Sequence, residues 1–151
     1  MATRLSTIAK NIAGVSVAVG GVTVAAKALT TMPDSLRAAS LPMRLVLADG
    51  TVGDGGIRAV AIGGTLQQAV WRIRDVFVYK PVAQGVGLEE ALPVLATYVG
   101  TYAAAMSSKR LIATNSVIED ITAEIAVWEY PEGSGTKYHI VEHVLSIRET
   151  F

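Results

Sequence analysis

The ordering of hydrophobic and polar positions is clearest in the second half of the chain. Leu88, Leu92, Leu95, Val99, Tyr102 and Met106 recur at steps of four, three, four, three and four, the spacing that lines one side of an α-helix with apolar groups. Such a stripe must lie on something, most economically a sheet. Pro93 lacks an N–H and is tolerated only near a helix start, so this helix is expected to begin between Leu88 and Leu92. Two long alternating segments follow, Val117 to Tyr130 and Thr136 to Arg148, joined by the turn formers Pro131, Glu132, Gly133, Ser134 and Gly135. In the first strand Ile118, Ala126 and Trp128 share one face, while Val117, Ile121, Ala123, Ile125 and Val127 share the other, the expected core face. In the second, Val141, Leu145 and Ile147 alternate with Ile140 and Val144. Hydrophobes on both faces would be explained by a helix on one side and another subunit on the other.

The first half is built from shorter pieces. Leu5, Ile8, Ala9 and Ile12 predict a short helix over about Thr3 to Ile12. Val15 to Val24 reads as an extended segment in which Gly20 and Gly21 form a bulge. Pro33-Asp34-Ser35 breaks the chain, and Pro42 forces Leu41 out of helical geometry before a strand from Met43 to Ala48. Asp49-Gly50 opens a glycine-rich connector with Gly53, Gly55 and Gly56, followed by the apolar run Ile57 to Ile62. Gln67 to Lys80 is a longer strand with Trp71 and Ile73 on one face and Val76 and Val78 on the other. The change of apolar face near Asp75 signals a bulge or burial of both faces. Pro81 to Gly87 is then a loop leading to the helix. The expected fold is α/β in the α+β sense: a mixed, largely antiparallel sheet with a long C-terminal β-hairpin, packed by one long helix and a short N-terminal helix. A length of 151 residues fits a single domain over 1–151, with enough chain to bury a core unaided by disulfides or metal.

Charge refines this picture. Thirteen basic and thirteen acidic residues cancel, so no net field draws the molecule to nucleic acid or an anionic membrane. Their distribution is uneven: residues 1–48 hold five basic residues against Asp34, and residues 118–151 hold seven acids against Lys137 and Arg148. The two ends are either neighbours within one fold or complementary patches on successive copies, as a head-to-tail assembly would use. At 51% apolar and 17% charged residues, the chain is hydrophobic for a soluble monomer. The uncharged run Asn11 to Ala26 resembles a signal peptide, but a helix of that length spans roughly 24 Å against the ~30 Å hydrocarbon core, and its glycines disfavour helix.

No pattern of residues assembles a reaction centre. The absence of cysteine excludes disulfides and thiolate metal sites. His139 and His143 lie four apart on a predicted strand, which separates their Cα atoms by roughly 13 Å and cannot place both on one ion. Asp49 to Gly56 lacks the Gly-Lys-Ser/Thr of a phosphate loop and the ligand order of an EF-hand. Glu89-Glu90 fits the N-terminus of a helix and Lys109-Arg110 its solvated end. Glu119-Asp120 are adjacent and do not face one another, and Ser107-Ser108 has no paired base. Trp71, Trp128, Tyr130 and Tyr138 read as core or sheet-edge aromatics, because the acidic terminal hairpin lacks the basic residues of an RNA-binding sheet.

Taken together, a short N-terminal helix, Ser40-Leu41-Pro42 before the first firm strand, the Trp71-Arg72-Ile73-Arg74 strand, the long helix, and a closing hairpin with Trp128-Glu129-Tyr130 and Tyr138-His139-Ile140 resemble the tail terminator proteins of long-tailed, siphovirus-like bacteriophages. The resemblance covers nearly the whole chain as a pattern of architecture. It implies a non-enzymatic virion protein without cofactors. Such a protein forms a homohexameric ring at the head-to-tail junction, assembled in the host cytoplasm. The ring caps the head-proximal end of the tail tube, ends tube polymerisation and joins the head connector or a neck protein. Its partners would be itself, the tail tube protein and the connector. No membrane and no sequence-specific nucleic acid is expected, although genomic DNA would pass through the lumen. On this reading Arg37, Arg44, Arg72 and Arg74 are the expected cationic side of the subunit contacts, with Glu124, Glu129 and Glu142 as their partners. The glycine-rich connector and the Pro131 to Gly135 tip would make axial contacts. The alternatives are another neck, head completion or tail tube protein, a small ligand-binding or enzymatic α/β domain, and a secreted or membrane-anchored protein.

Overall fold

The computed structural model describes residues 5–29, 33–37, 40–48, 57–62, 66–82 and 87–150. The Asp49–Gly56 connector and most of the Pro81–Gly87 loop lie outside these residues. Helix α1 (Leu5–Gly14) buries Ile8, Ala9 and Ile12, the stripe read from the sequence. The chain then forms a miniature hairpin from β1 (Ala18–Val19) and β2 (Val22–Thr23), turning at Gly20 and Gly21. Both glycines have positive φ, +59° and +82°. Two consecutive residues of that conformation are what a two-residue hairpin turn needs to match strand twist. The expectation of a bulge within one extended segment is thereby corrected.

The remaining strands are β3 (Ala25–Leu29), β4 (Met43–Leu47), β5 (Ile57–Ile62), β6 (Leu66–Pro81), β7 (Leu111–Ala113), β8 (Ser116–Glu129) and β9 (Lys137–Thr150). They form one seven-stranded sheet in the order β3-β4-β6-β9-β8-β7, with β5 paired to the half of β6 that β4 leaves free. Among the described strands only β3 and β4 run parallel. The fold is α+β with a mixed, mostly antiparallel sheet, as expected.

Both helices pack on the same face. Helix α2 (Leu88–Ser107) and α1 close a core of Val46, Ile73, Phe77, Val141, Leu145 and Ile147. On the opposite face, called the outer face below, Met43, Leu45, Leu47, Val76, Val78, Tyr138 and Ile140 form a second core closed by Leu36 and Leu41. Strand β4 is therefore buried on both sides, which is why its apolar run shows no alternation. Burial of both faces also accounts for β6: its register with β9 is unbroken through Asp75 and shifts only between Val78 and Lys80.

Two face assignments are corrected. Helix α2 begins at Leu88, but it buries Ala91, Leu95, Tyr98, Tyr102 and Met106, leaving Leu88 54% and Leu92 44% exposed. The buried line is turned toward Tyr98 because that ring stacks on Phe77 of the sheet, with centroids 4.0 Å apart. In β8 the register shifts between Ile118 and Asp120, so Ile118 pairs with Ile147 and joins Ile121 and Ile125 on the helix face instead of Ala126 and Trp128. The expected core face of β8 is only partly covered, for Ala123 is exposed and Val127 is 51% exposed.

Candidate functional site

The most concentrated polar chemistry lies inside the molecule. Arg44 of β4 and Asp75 of β6 form an ion pair whose side chains are both fully buried. Arg44 points to the helix face because its strand neighbours Met43 and Leu45 point to the other. There its Nη1 donates to the Val15 carbonyl at 2.6 Å and its Nη2 to the Ile12 carbonyl at 3.1 Å. These carbonyls mark the C-terminal end of α1, which a cation stabilises. Its Nε also donates to Asp75 Oδ1 at 3.3 Å. Around the pair are the Tyr102 ring, with the guanidinium carbon 5.7 Å from its centroid, and His143, whose ring stacks on Tyr102 at 3.7 Å. His143 stands directly across from Asp75 in the β6–β9 register.

Electrostatics follow from burial. Desolvation works against the Arg44 charge, but attraction and hydrogen bonding to Asp75 outweigh it and the guanidinium pKa rises. Desolvation pushes the Asp75 carboxyl up, with Arg44 pulling against it. The Tyr98 and Tyr102 hydroxyls are raised by burial and then by Asp75. Burial, followed by the nearby Arg44 charge, lowers His143 to about 4. Its Nδ1 has no hydrogen-bond partner among the described residues. This arrangement fastens α1 and α2 to the sheet. Arg44 is thus an internal cation, not a cation on the surface available to a neighbouring subunit. The signal for it was a lone arginine in the run Met43–Leu47 and a lone aspartate before Val76-Phe77-Val78, charges with no solvated face to occupy.

The other anticipated contact residues separate into two groups. Arg72 and Arg74 are half-buried on the outer face of β6, and Glu142 and Glu124 occupy the same face of β9 and β8, directly opposite one another. Four charged residues expected on two sides of an interface are therefore gathered on one sheet face. Arg37 is exposed before β4 and lines a surface hollow with Lys27, Leu29 and Leu45. Glu129 is occupied within its own hairpin, its Oε1 accepting the Gly135 N–H at 2.7 Å. The other buried acid among the described residues, Glu149, accepts from Trp71 Nε1 at 2.7 Å, an interaction with no signature in the sequence.

His139 and His143 are both buried on the helix face of β9. Among the described residues no group of three His, Asp or Glu side chains is placed to hold a metal ion, and no helix is long and apolar enough to cross a membrane. A cavity of about 370 Å³ lies between α2 and β8, lined by Val99, Tyr102, Met106, Arg110, Asp120 and His143 among others. No protein-family model matches the sequence, and no curated protein matches it significantly.

Proposed function

We propose that the protein is a structural subunit that assembles into a ring and caps the head-proximal end of a phage tail tube, ending its polymerisation and joining tail to head connector. The observation that supports this reading best is a sheet left open at two unlike edges. Strand β7 pairs with β8 only near Ser116 and Val117, so among the described residues the outer edge of β8 from Asp120 to Glu129 has no neighbouring strand, and neither has the outer edge of β3. Unsatisfied strand edges are templates for pairing with another chain. Two different edges on one molecule suit head-to-tail closure. The resemblance of the element order to tail terminators supplies the biological setting.

The test is the native mass of the untagged protein over a concentration and salt series, with and without purified tail tubes. A closed ring, or a monomer that becomes a ring on tubes whose further growth it stops, is the expected result. A monomer indifferent to tubes at every concentration overturns the reading. One observation favours a second reading, small-molecule binding: the α2–β8 cavity combines an apolar wall with Tyr102, Arg110, Asp120 and His143. Thermal stabilisation of a monomer by a small molecule, abolished by Ala103→Trp in the cavity wall, would select it.

A further inference from the structure

Resting on the ring reading, we infer that ring closure runs through the sheet itself: the β8 edge of one copy pairs antiparallel with the β3 edge of the next, with Lys27 opposite Glu124. The occupant of the open β8 edge is a second copy of this chain.

The argument is one of register. Lys27 pairs with Leu45, Leu45 with Val76, Val76 with Glu142, and Glu142 with Glu124. These residues make one row straight across the outer face, from the β3 edge to the β8 edge. The row begins with a cation and ends with two carboxylates side by side. Like charges directly opposite are unfavourable in a sheet, and opposite charges are favourable. Continuing the row into a second copy places Lys27 next to that acidic pair, with no change of face or register.

Direction and shape agree. Strand β3 is parallel to β4, β4 antiparallel to β6, β6 to β9, and β9 to β8. Strand β3 therefore runs opposite to β8, and a sheet continued in the same orientation meets its neighbour antiparallel. With Lys27 opposite Glu124, Ala28 falls opposite Ala123 and Ala26 opposite Ile125 on the helix face, and Leu29 falls opposite Thr122 on the outer face. The residues that meet are small or still partly exposed: Thr122, Ala123, Glu124 and Lys27 are exposed, and Ala26, Ala28 and Ile125 are half-buried. Main-chain hydrogen bonds along the shared edge supply attraction, and the paired charges set register.

The chain contains no cysteine, so introduced thiols report unambiguously. Opposed strand residues have Cα atoms about 4.5–5.5 Å apart, within disulfide range. The variants are Lys27→Cys/Glu124→Cys and, one step along the same register, Ala28→Cys/Ala123→Cys, each with its single-cysteine controls. Assembly is first measured by native mass with tail tubes, then the thiols are oxidised and separated under non-reducing denaturing conditions. The expected result is a ladder of covalent multimers from at least one double variant, and monomers from every single variant. Dimers from Glu124→Cys alone would mean two β8 edges meeting about a two-fold axis, and would overturn the proposal. A ring of native mass that gives no ladder from either double variant overturns it while leaving the ring reading intact. In hydrogen exchange of the unmodified chain, protection of the β8 edge by tubes without protection of β3 assigns the edge to the tube protein and overturns it. Failure of the unmodified chain to assemble at all, with or without tubes, overturns both readings.

Discussion

At the scale of single residues, Arg44 does the work of several ordinary contacts. It neutralises Asp75, lies against Tyr102 and closes the carbonyl end of α1 through Ile12 and Val15. Arg44→Met leaves Asp75 buried without its partner and frees those carbonyls, and is expected to cost about 3–5 kcal/mol in urea unfolding. His143 gives a second prediction at this scale. Its pKa is lowered from 6.5 to about 4 by burial and Arg44, and the groups facing it are Asp75 across the strand pair, Tyr98 and Tyr102 from α2, and Arg44 from β4. Because the unfolded chain takes up a proton here at higher pH than the folded one, the contribution is fully present above about pH 6.5 and is lost as pH falls toward 4. His143→Phe keeps a ring on Tyr102 and removes the proton. Its melting temperature is expected to fall less between pH 7 and pH 4.5 than that of the unmodified protein, by the equivalent of roughly 1–3 kcal/mol. An equal fall in both proteins would refute the assignment.

At the scale of elements, long periodic segments were legible and local changes of direction were not. The spacing of Ile8, Ala9 and Ile12 identified α1, and the Val117–Arg148 alternation identified the β8–β9 hairpin, because each pattern repeats over enough residues to distinguish helix from strand. The stripe on α2 was legible as a helix but not in its rotation, for Leu95, Tyr102 and Met106 belong both to the line through Leu92 and Val99 and to the buried line through Ala91 and Tyr98. Only the partner surface decides between them, here through Phe77. The shift between Ile118 and Asp120 was illegible for a similar reason: one extra residue in a strand leaves composition unchanged while reversing every face beyond it. The Gly20-Gly21 turn was read as a bulge because both features need glycine, and the distinction lies in whether the flanking valines pair with each other. Arg44 stands alone in the apolar run Met43–Leu47, but its pairing with Asp75 joins strands far apart in sequence and has no local trace.

At the scale of the molecule, separate roles are proposed for the outer face and for the strand edges left open among the described residues. The proposed ring closure through β8 and β3 would use the two ends of the sheet, whereas Arg72 and Arg74 lie on β6, with β9 standing between them and β8. Their place on the outer face, beside Val144 and Ser146 in register, suits contact with something that lies over the sheet. For a ring, that is the tube or the connector. The resemblance put Arg72 and Arg74 on one side of the subunit contacts and Glu124 and Glu142 on the other, yet the sheet folds all four onto one surface. The combined variant Arg72→Glu and Arg74→Glu separates the two roles. If closure belongs to the edges and the outer face meets the tube, native mass will still report a ring, and the ring will no longer stop tubes from growing, since reversing two charges changes that face by four units. If the ring itself dissociates while the far-ultraviolet spectrum and melting temperature stay unchanged, the arginines belong to the subunit contact and the outer face is part of ring closure. If ring mass and tube capping both survive, these arginines serve neither contact, and the charged outer face is a solvated one.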